Sequence, residues 1–324
     1  MGKYTGRDVK IGIAKESTRG VATPSSFYIP RRDFDLNDKA TIIVDDQTYG
    51  IIEDSVDAKV VNKYSEGKIS GLVRDKAIGL LLLNAIGYGT PTSSSPEANV
   101  YTHTFTVLQS HQHPSLTINV DDPTVGDKSY ALGMLKSLEL VAVTNEFVIF
   151  NADFYAKTAT PATITAAYVA ENLFTADGVT FKMAATATAL SAATAIDIKS
   201  ATVRIEKEIE KDDVLGNINP DDFVNKTLRI SVDVERAFED TTFRDYFMTA
   251  SPMAVRVAIT SGAIVGTATN PSITFDLNQA KITDWTASKG LDELNTESFT
   301  LKANFKIADS KMVECRLVNT QSAY

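Results

Sequence analysis

What most constrains the fold of this sequence is a polar/apolar alternation of period two that returns along the whole chain. It runs through Arg7-Asp8-Val9-Lys10-Ile11-Gly12-Ile13, Arg32-Asp33-Phe34-Asp35-Leu36-Asn37 and Ser115-Leu116-Thr117-Ile118-Asn119-Val120. It recurs in Thr202-Val203-Arg204-Ile205-Glu206, Leu228-Arg229-Ile230-Ser231-Val232-Asp233-Val234 and Ser298-Phe299-Thr300-Leu301-Lys302-Ala303-Asn304-Phe305. Successive side chains of a strand point to opposite faces, so these segments read as half-buried strands with one face on a core and one in water. Only two segments carry helical spacing. Asp75 is expected to cap the first with its own side chain, after which Ala77, Ile78, Leu81, Leu82 and Ala85 form one apolar stripe ended by Gly87. Asp240 is expected to cap the second, in which Phe243, Tyr246 and Phe247 share a face and Pro252 marks the end. Each stripe needs a sheet to pack on, so the expected class is mainly β with a few helices (β+α).

The 324 residues exceed the usual size of one domain, and the two halves carry similar segments in one order. Asp8–Ala14 matches Gly178–Ala184, Tyr49-Gly50 matches Leu215-Gly216, and Asn62-Lys63 with Lys68–Gly71 matches Asn225-Lys226 with Arg229–Val232. Pro114–Ile118 then matches Pro271–Phe275, and Phe147–Phe154 matches Phe299–Phe305. The offset shrinks steadily along the chain, as small deletions from one ancestral unit would make it. The expected organisation is a module at 1–157, a linker at 158–177 in an Ala/Thr-rich stretch, and a second module at 178–324. A long polar loop, Gly87–Pro96, belongs to the first module alone.

Hydrophobic residues make up 44% and charged residues 23%, which fits a packed globular protein. A net charge of -9 argues against a protein that grips phosphate backbones through Lys and Arg. Cys315 is the single cysteine, which excludes an intrachain disulfide and a cysteine-based zinc site. The N-terminus has no uninterrupted apolar stretch of signal-peptide kind, and Ala77–Ile86, broken by Gly79 and Asn84, is too short to span a bilayer. A protein made and kept in a cytoplasm, with no membrane role, is expected. His103, His111 and His113 invite a metal reading, but no Cys or organised acidic partner accompanies them and a structural role is favoured. A phosphate-cradling glycine loop, a nucleophile elbow and an HExxH helix are all missing from the sequence, so no catalytic, cofactor or metal residue is expected and the protein reads as a non-enzyme. The acidic pairs Asp45-Asp46, Asp121-Asp122, Asp212-Asp213 and Asp221-Asp222 read as solvated turn residues. Two strands place charge on their polar face: Asp33 and Asp35 on one, Arg204, Glu206, Glu208 and Glu210 on the other, with Phe34, Leu36, Ile205 and Ile209 inward. Such a face is either an ordinary solvated surface or an acidic wall along a channel. Arg204 and Lys207 bring the opposite sign to it.

The opening Val9–Gly20 leading into Phe27-Tyr28-Ile29-Pro30 resembles the major tail tube proteins of long, non-contractile (siphovirus-type) bacteriophage tails. Tyr101–Phe105 followed by Pro114–Thr117, and Val203–Ile209 followed by Leu215-Gly216, Pro220 and Asp222, extend the resemblance over most of the chain. The resemblance implies two tandem tube modules, each a β-sandwich or part-barrel with a flanking helix, in rings that stack into a tube with an inner β-barrel. It also implies a three-subunit ring of pseudo-sixfold symmetry, or else a hexamer, that conducts DNA at ejection. The implied partners are other copies of the chain, a tape measure protein, tail terminator and distal tail proteins, and transiting double-stranded DNA without specific binding, in a virion assembled in the bacterial cytoplasm. The acidic lumen candidates are Asp33, Asp35, Glu206, Glu208 and Glu210. Ring stacking falls to the loops Asn37–Gly50 and Lys211–Asn225, with Asp38, Asp45, Asp46, Thr48, Asp212, Asp213 and Asn217 as candidates. A capsid-decoration or adhesin-like β protein is the alternative, and a metal-dependent β enzyme using the histidines a more remote one.

Overall fold

The computed structural model describes residues 5–87 and 92–324, so Met1–Tyr4 and part of the polar loop Gly87–Pro96 lie outside the described residues. The alternating segments become strands β1 (Lys10–Lys15), β2 (Phe27–Ile29), β3 (Arg31–Val44) and β4 (Ala58–Leu72), then helix α1 (Ile78–Ile86). They continue as β5 (Thr92–Glu97), β6 (Val100–Thr106), β7 (Leu116–Asp121), β8 (Lys128–Val143), β9 (Ile149–Ala156) and β10 (Thr160–Pro161). The remainder holds β11 (Val179–Ala184), β12 (Ser200–Asp212), β13 (Asp222–Ala237), α2 (Thr242–Thr249), β14 (Met253–Thr260), β15 (Ser272–Ser288), β16 (Thr296–Ala303) and β17 (Val313–Asn319). The protein is mainly β, as the alternation requires, and the pairings between its strands are antiparallel.

Two strands are long enough to serve two sheets each. The first half of β8 pairs with β7 and β10, and its second half with β9 and β12. The first half of β15 likewise pairs with β14 and β17, and its second half with β16. The second halves sit in one long sheet of order β3, β4, β9, β8, β12, β13, β16, β15. The first halves belong to two outer layers, of order β2, β1, β7, β8, β10 and of order β11, β14, β15, β17, β6, β5. A shared pairing order runs through both halves of the chain: β1–β7–β8–β9–β4–β3 in the first and β11–β14–β15–β16–β13–β12 in the second. Single helical turns at Gly6–Asp8 and Ala176–Gly178 lead into β1 and β11. One sequence match fails this ordering. Pro114–Ile118 enters β7, whereas Pro271–Phe275 enters β15, whose counterpart is β8. Both segments show proline followed by alternation, and a period of two does not distinguish neighbouring strands.

Helix α1 departs from the amphipathic expectation, because all nine of its residues are buried. It packs against β8, β12, β6 and β1 at once, and a Cβ on Gly79 would fall 2.1 Å from the ring of Tyr324, which closes its remaining side. Asp75 does not cap it. The Asp75 carboxylate accepts instead from the backbone and side-chain amides of Asn172, at 2.9 and 2.8 Å, while Glu171 Oε2 takes the N–H groups of Lys76 and Ala77. The helix start is therefore satisfied from the segment expected to be a spacer. That segment is fastened throughout: β10 pairs with β8, Phe174 is fully buried, and the Val148 N–H bonds to the Phe174 carbonyl. In α2 the N-cap is Thr241, one residue after the expected Asp240, whose carboxylate still accepts from the Thr242 N–H at 2.8 Å, and the aromatic face meets a strand as expected, Phe243 stacking on Phe299 with 4.6 Å between ring centroids.

Near the other end of α1, Lys207 of β12 points into the core and donates through Nζ to the Asn84 carbonyl at 2.6 Å. A cation suits the negative end of a helix, but burial, with the charge of Arg19 adding to it, pulls its pKa from 10.5 to about 7. The unfolded chain then binds more protons than the folded one between about pH 7 and pH 10.5. The cost of the buried charge is full below that window and is relieved as pH rises through it. Relative to Lys207→Met, the wild type should gain about 2–3 kcal/mol of stability between pH 7 and pH 9. Parallel urea denaturation curves would measure it, and a pH-independent difference would refute the assignment.

Candidate functional site

The long sheet has one face on the core and one polar face. Tracing the registers across it, Asp33, Ser70, Asn151, Glu139, Arg204, Ser231 and Lys302 fall in one row on that polar face. Asp35, Lys68, Asp153, Ser137, Glu206 and Arg229 fall in the next. Asp33, Asp35, Glu206, Glu208 and Glu210 are all exposed. Asp35 and Glu206 lie in the same row, yet four strand spacings, about 19 Å, separate them. Between and beside them the surface carries further charges that no sequence motif singles out. Lys68, Glu139, Asp153, Arg229 and Asp233 sit at alternate strand positions, but only the register brings them together.

This surface is not a bare acidic wall. Arg204 Nε donates to Glu139 Oε1 at 2.9 Å, and its Nη1 lies 2.8 Å from Asp233 Oδ2, so one cation ties three strands. Ser137 donates to Asp153 at 2.8 Å, Thr300 to Asp233 at 2.6 Å, and Thr227 to Glu208 at 3.1 Å. Lys226 pairs with Glu210. Lys207, the other residue of contrary sign, takes no part, because it faces the core.

Two hairpins project from one end of this sheet, and both are longer than their sequences suggested. Asn37–Val44 belongs to β3, and the loop proper runs from Asp45 to Asp57. Lys211 and Asp212 likewise belong to β12, and Asp222–Asn225 to β13. Where both faces of a hairpin arm meet water, as from Asn37 to Val44, no polar/apolar contrast marks the strand. Asp38 accordingly lies inside a strand, where its carboxylate takes bonds from Ser65 Oγ and the Ala159 N–H. Asp45 organises the first tip by accepting from the Gln47 N–H and the Tyr49 hydroxyl, and Thr48 accepts from the Gly50 N–H. Asp46 is exposed there, among the exposed apolar side chains Ile42, Ile43, Val44, Ile51 and Ile52. The second tip folds back on the molecule. Asp213 accepts from Asn62 at 2.7 Å, the Ile218 carbonyl accepts from the Lys63 N–H, and Asn217 accepts from the Asn219 N–H. Phe223 at its base stacks on Tyr155.

Arg19 completes this junction, donating to Asp222, to the His113 carbonyl and to the Phe223 carbonyl. A lone arginine in a loop gives no sequence signal for such a role. The histidines share a structural chemistry: His103, His111 and His113 each bond a backbone carbonyl, those of Gln321, Asn225 and Leu108. Burial lowers the pKa of His113 to about 4 and that of His103 below its ordinary value. Among the described residues no group of three or more His, Cys, Asp or Glu is placed to hold a metal, and no helix is long and apolar enough to cross a membrane.

Carboxylates and cations thus interleave in rows on the polar face, two hairpins project from its end, and comparison with known families gives this architecture its context. Residues 6–302 match the family model described as phage tail tube protein. The chain belongs to the phage tail tube protein family. No curated protein matches it. Members of this family are structural components of the virion tail that self-assemble into a tube.

The two arginines should respond differently to deletion. Arg204, 42% exposed in its side chain, should cost no more than about 1 kcal/mol when changed to Ala, a loss that shrinks as salt is added. Arg19→Ala, which strands two backbone carbonyls and a mostly buried carboxylate, should cost about 2–3 kcal/mol. Equal losses in denaturation experiments would refute this ranking.

Proposed function

We propose that this protein is the repeating subunit of a tail tube that conducts phage DNA, each chain supplying two tandem tube modules to a ring of three. The observation that carries the reading is the long sheet. It comprises two four-stranded groups of like connectivity, β3–β4–β9–β8 and β12–β13–β16–β15, joined by β8 and β12. Closing such sheets end to end around an axis removes their edges and leaves the polar face on a water-filled lumen. Three chains of two modules give a ring of pseudo-sixfold symmetry. The net acidic charge of the chain keeps a polyanion from adsorbing as it slides past, while the cross-strand ion pairs hold the wall's own carboxylates in place.

Ring stacking falls to the hairpin tips. The β3–β4 tip, with Ile51 and Ile52 exposed, is apolar enough to need covering by a neighbouring ring. The connection from ring to ring is head to tail, and such heterologous contacts propagate without closing. A tape measure protein in the lumen, with terminator and distal tail proteins at the ends, would complete the tail of a long-tailed phage assembled in the host cytoplasm.

Purified protein viewed in negative stain should show tubes or rings with apparent sixfold rotational averages, and mass measurement of a single ring should give three chains. A protein that remains monomeric at millimolar concentration would end the reading. Replacing 46–56 with a short glycine turn should leave rings while abolishing tubes by the same microscopy. Reversing Glu206 and Glu208, which lie on the interior strand β12, to Lys in a complemented phage should leave tails intact but cut infectivity at least tenfold through slowed DNA transit; unchanged titres would remove the electrostatic part of the proposal.

A further inference from the structure

The long sheet ends at β3 on one side and at the second half of β15 on the other. Among the described residues β3 pairs only with β4, and Thr283–Ser288 of β15 only with β16. These edges expose Asn37, Lys39, Asp284, Thr286 and Ser288. The sheet also contains a finished version of the joint they would make. β8 and β12 meet in the middle with Ser137 opposite Glu206, Glu139 opposite Arg204 and Val141 opposite Thr202. In connectivity β3 corresponds to β12 and β15 to β8, so one joint serves as a template for the other.

Irregularities in the ladders fix the correspondence residue by residue. Val61 is skipped in β4 where Thr41 gives way to Ile42, and Lys226 is skipped in β13 where Glu208 gives way to Ile209, so Thr41 corresponds to Glu208. Following the registers from there across β4 and β9 to β8, and across β13 and β16 to β15, sets Lys136 against Thr283. Those two residues are themselves skipped, Lys136 between Leu135 and Ser137 and Thr283 between Ile282 and Asp284. Bulges are specific local features, and two pairs of them, two strands apart, agree on one alignment. It equates Ser137 with Asp284, Glu139 with Thr286, Glu206 with Lys39, and Arg204 with Asn37.

We propose that β15 of one copy pairs antiparallel with β3 of the next in the register Asp284 to Lys39, Thr286 to Asn37 and Ser288 to Asp35. The proposal rests on the ring reading and adds to it the contact residues. It is supported by charge. In this register an aspartate directly faces a lysine on the polar face, an arrangement that stabilises cross-strand pairs. A slip of two residues sets Asp284 against Asn37 or Thr41 and loses the pair, and a slip of one turns Leu36 away from the core. The occupant of both edges is a second copy of this chain, because the template that fits them is this chain's own strand pair.

Directly opposed residues of an antiparallel ladder lie about 4.5–5.5 Å apart at Cα, within reach of a disulfide. The doubly substituted protein Thr286→Cys with Asn37→Cys, assembled and mildly oxidised, should give covalent multimers on a non-reducing gel. Thr286→Cys combined with Asp35→Cys or Lys39→Cys should give at least fivefold less, and the buried Cys315 stays out of the reaction. As a second arm, Lys39→Asp should block assembly and Lys39→Asp with Asp284→Lys should restore it. Rings that cross-link best in a slipped pair, or a charge swap that fails to rescue, would overturn the register while leaving the tube reading intact. A protein that stays monomeric in every variant and in the wild type would overturn both.

Discussion

The β8–β12 ladder is the interaction on which the rest of the structure depends. Backbone N–H and C=O groups must pair wherever water is kept away, and this ladder lets two four-stranded groups satisfy one another across the middle of a continuous sheet. Everything nearby reinforces it. Arg204 spans it with ion pairs on the polar side, α1 packs across β8 and β12 on the core side, and Lys207 ties β12 to the last turn of that helix. A buried lysine with a depressed pKa is an expensive fastening, and its position at a helix end beside this joint shows what the expense secures.

Long strands extend the same logic outward. Because β8 and β15 run from the long sheet into the other two layers, a single strand carries two sets of hydrogen bonds, and α1 packs against strands of all three. The outer layers are then stitched across the two halves of the chain. β17, near the C-terminus, pairs with β6 from the first half, and Tyr324 returns to cover Gly79 and donate to the Lys76 carbonyl. The two halves share a pairing order but are laced together at β8–β12, at β17–β6 and through Arg19 and Asp222.

The strand content and the polar face were legible in the sequence because alternation reports directly on a half-buried strand. Asp33, Asp35, Glu206 and Glu208, at alternate positions of their strands, are exposed for that reason. Alternation is silent about partners, so the carboxylates and cations that lie between them in the sheet went unseen, and Pro114–Ile118 was matched to the wrong strand. It also fails where both faces of a strand are alike, which hid the arms of the first hairpin from Asn37 to Val44. Local rules for helix starts misled at Asp75 because a nearer competitor, Glu171, arrives from a distant segment. The spacing of Ala77 to Ala85 showed a helix but not that Tyr324, at the other end of the sequence, would seal its outer side.

The two hairpins of the long sheet are unlike. The tip of one is strapped through Asp213 and the Ile218 carbonyl to β4, an arm of the other, whose own tip beyond that contact carries the exposed Ile51 and Ile52. In the ring of three proposed above, bare and strapped tips would alternate around the circumference, and the apparent sixfold symmetry would be broken at the rim. One ring would then have only three equivalent ways to seat on the next, a third of a turn apart. The column would acquire a defined angular phase from a difference in where a single loop folds.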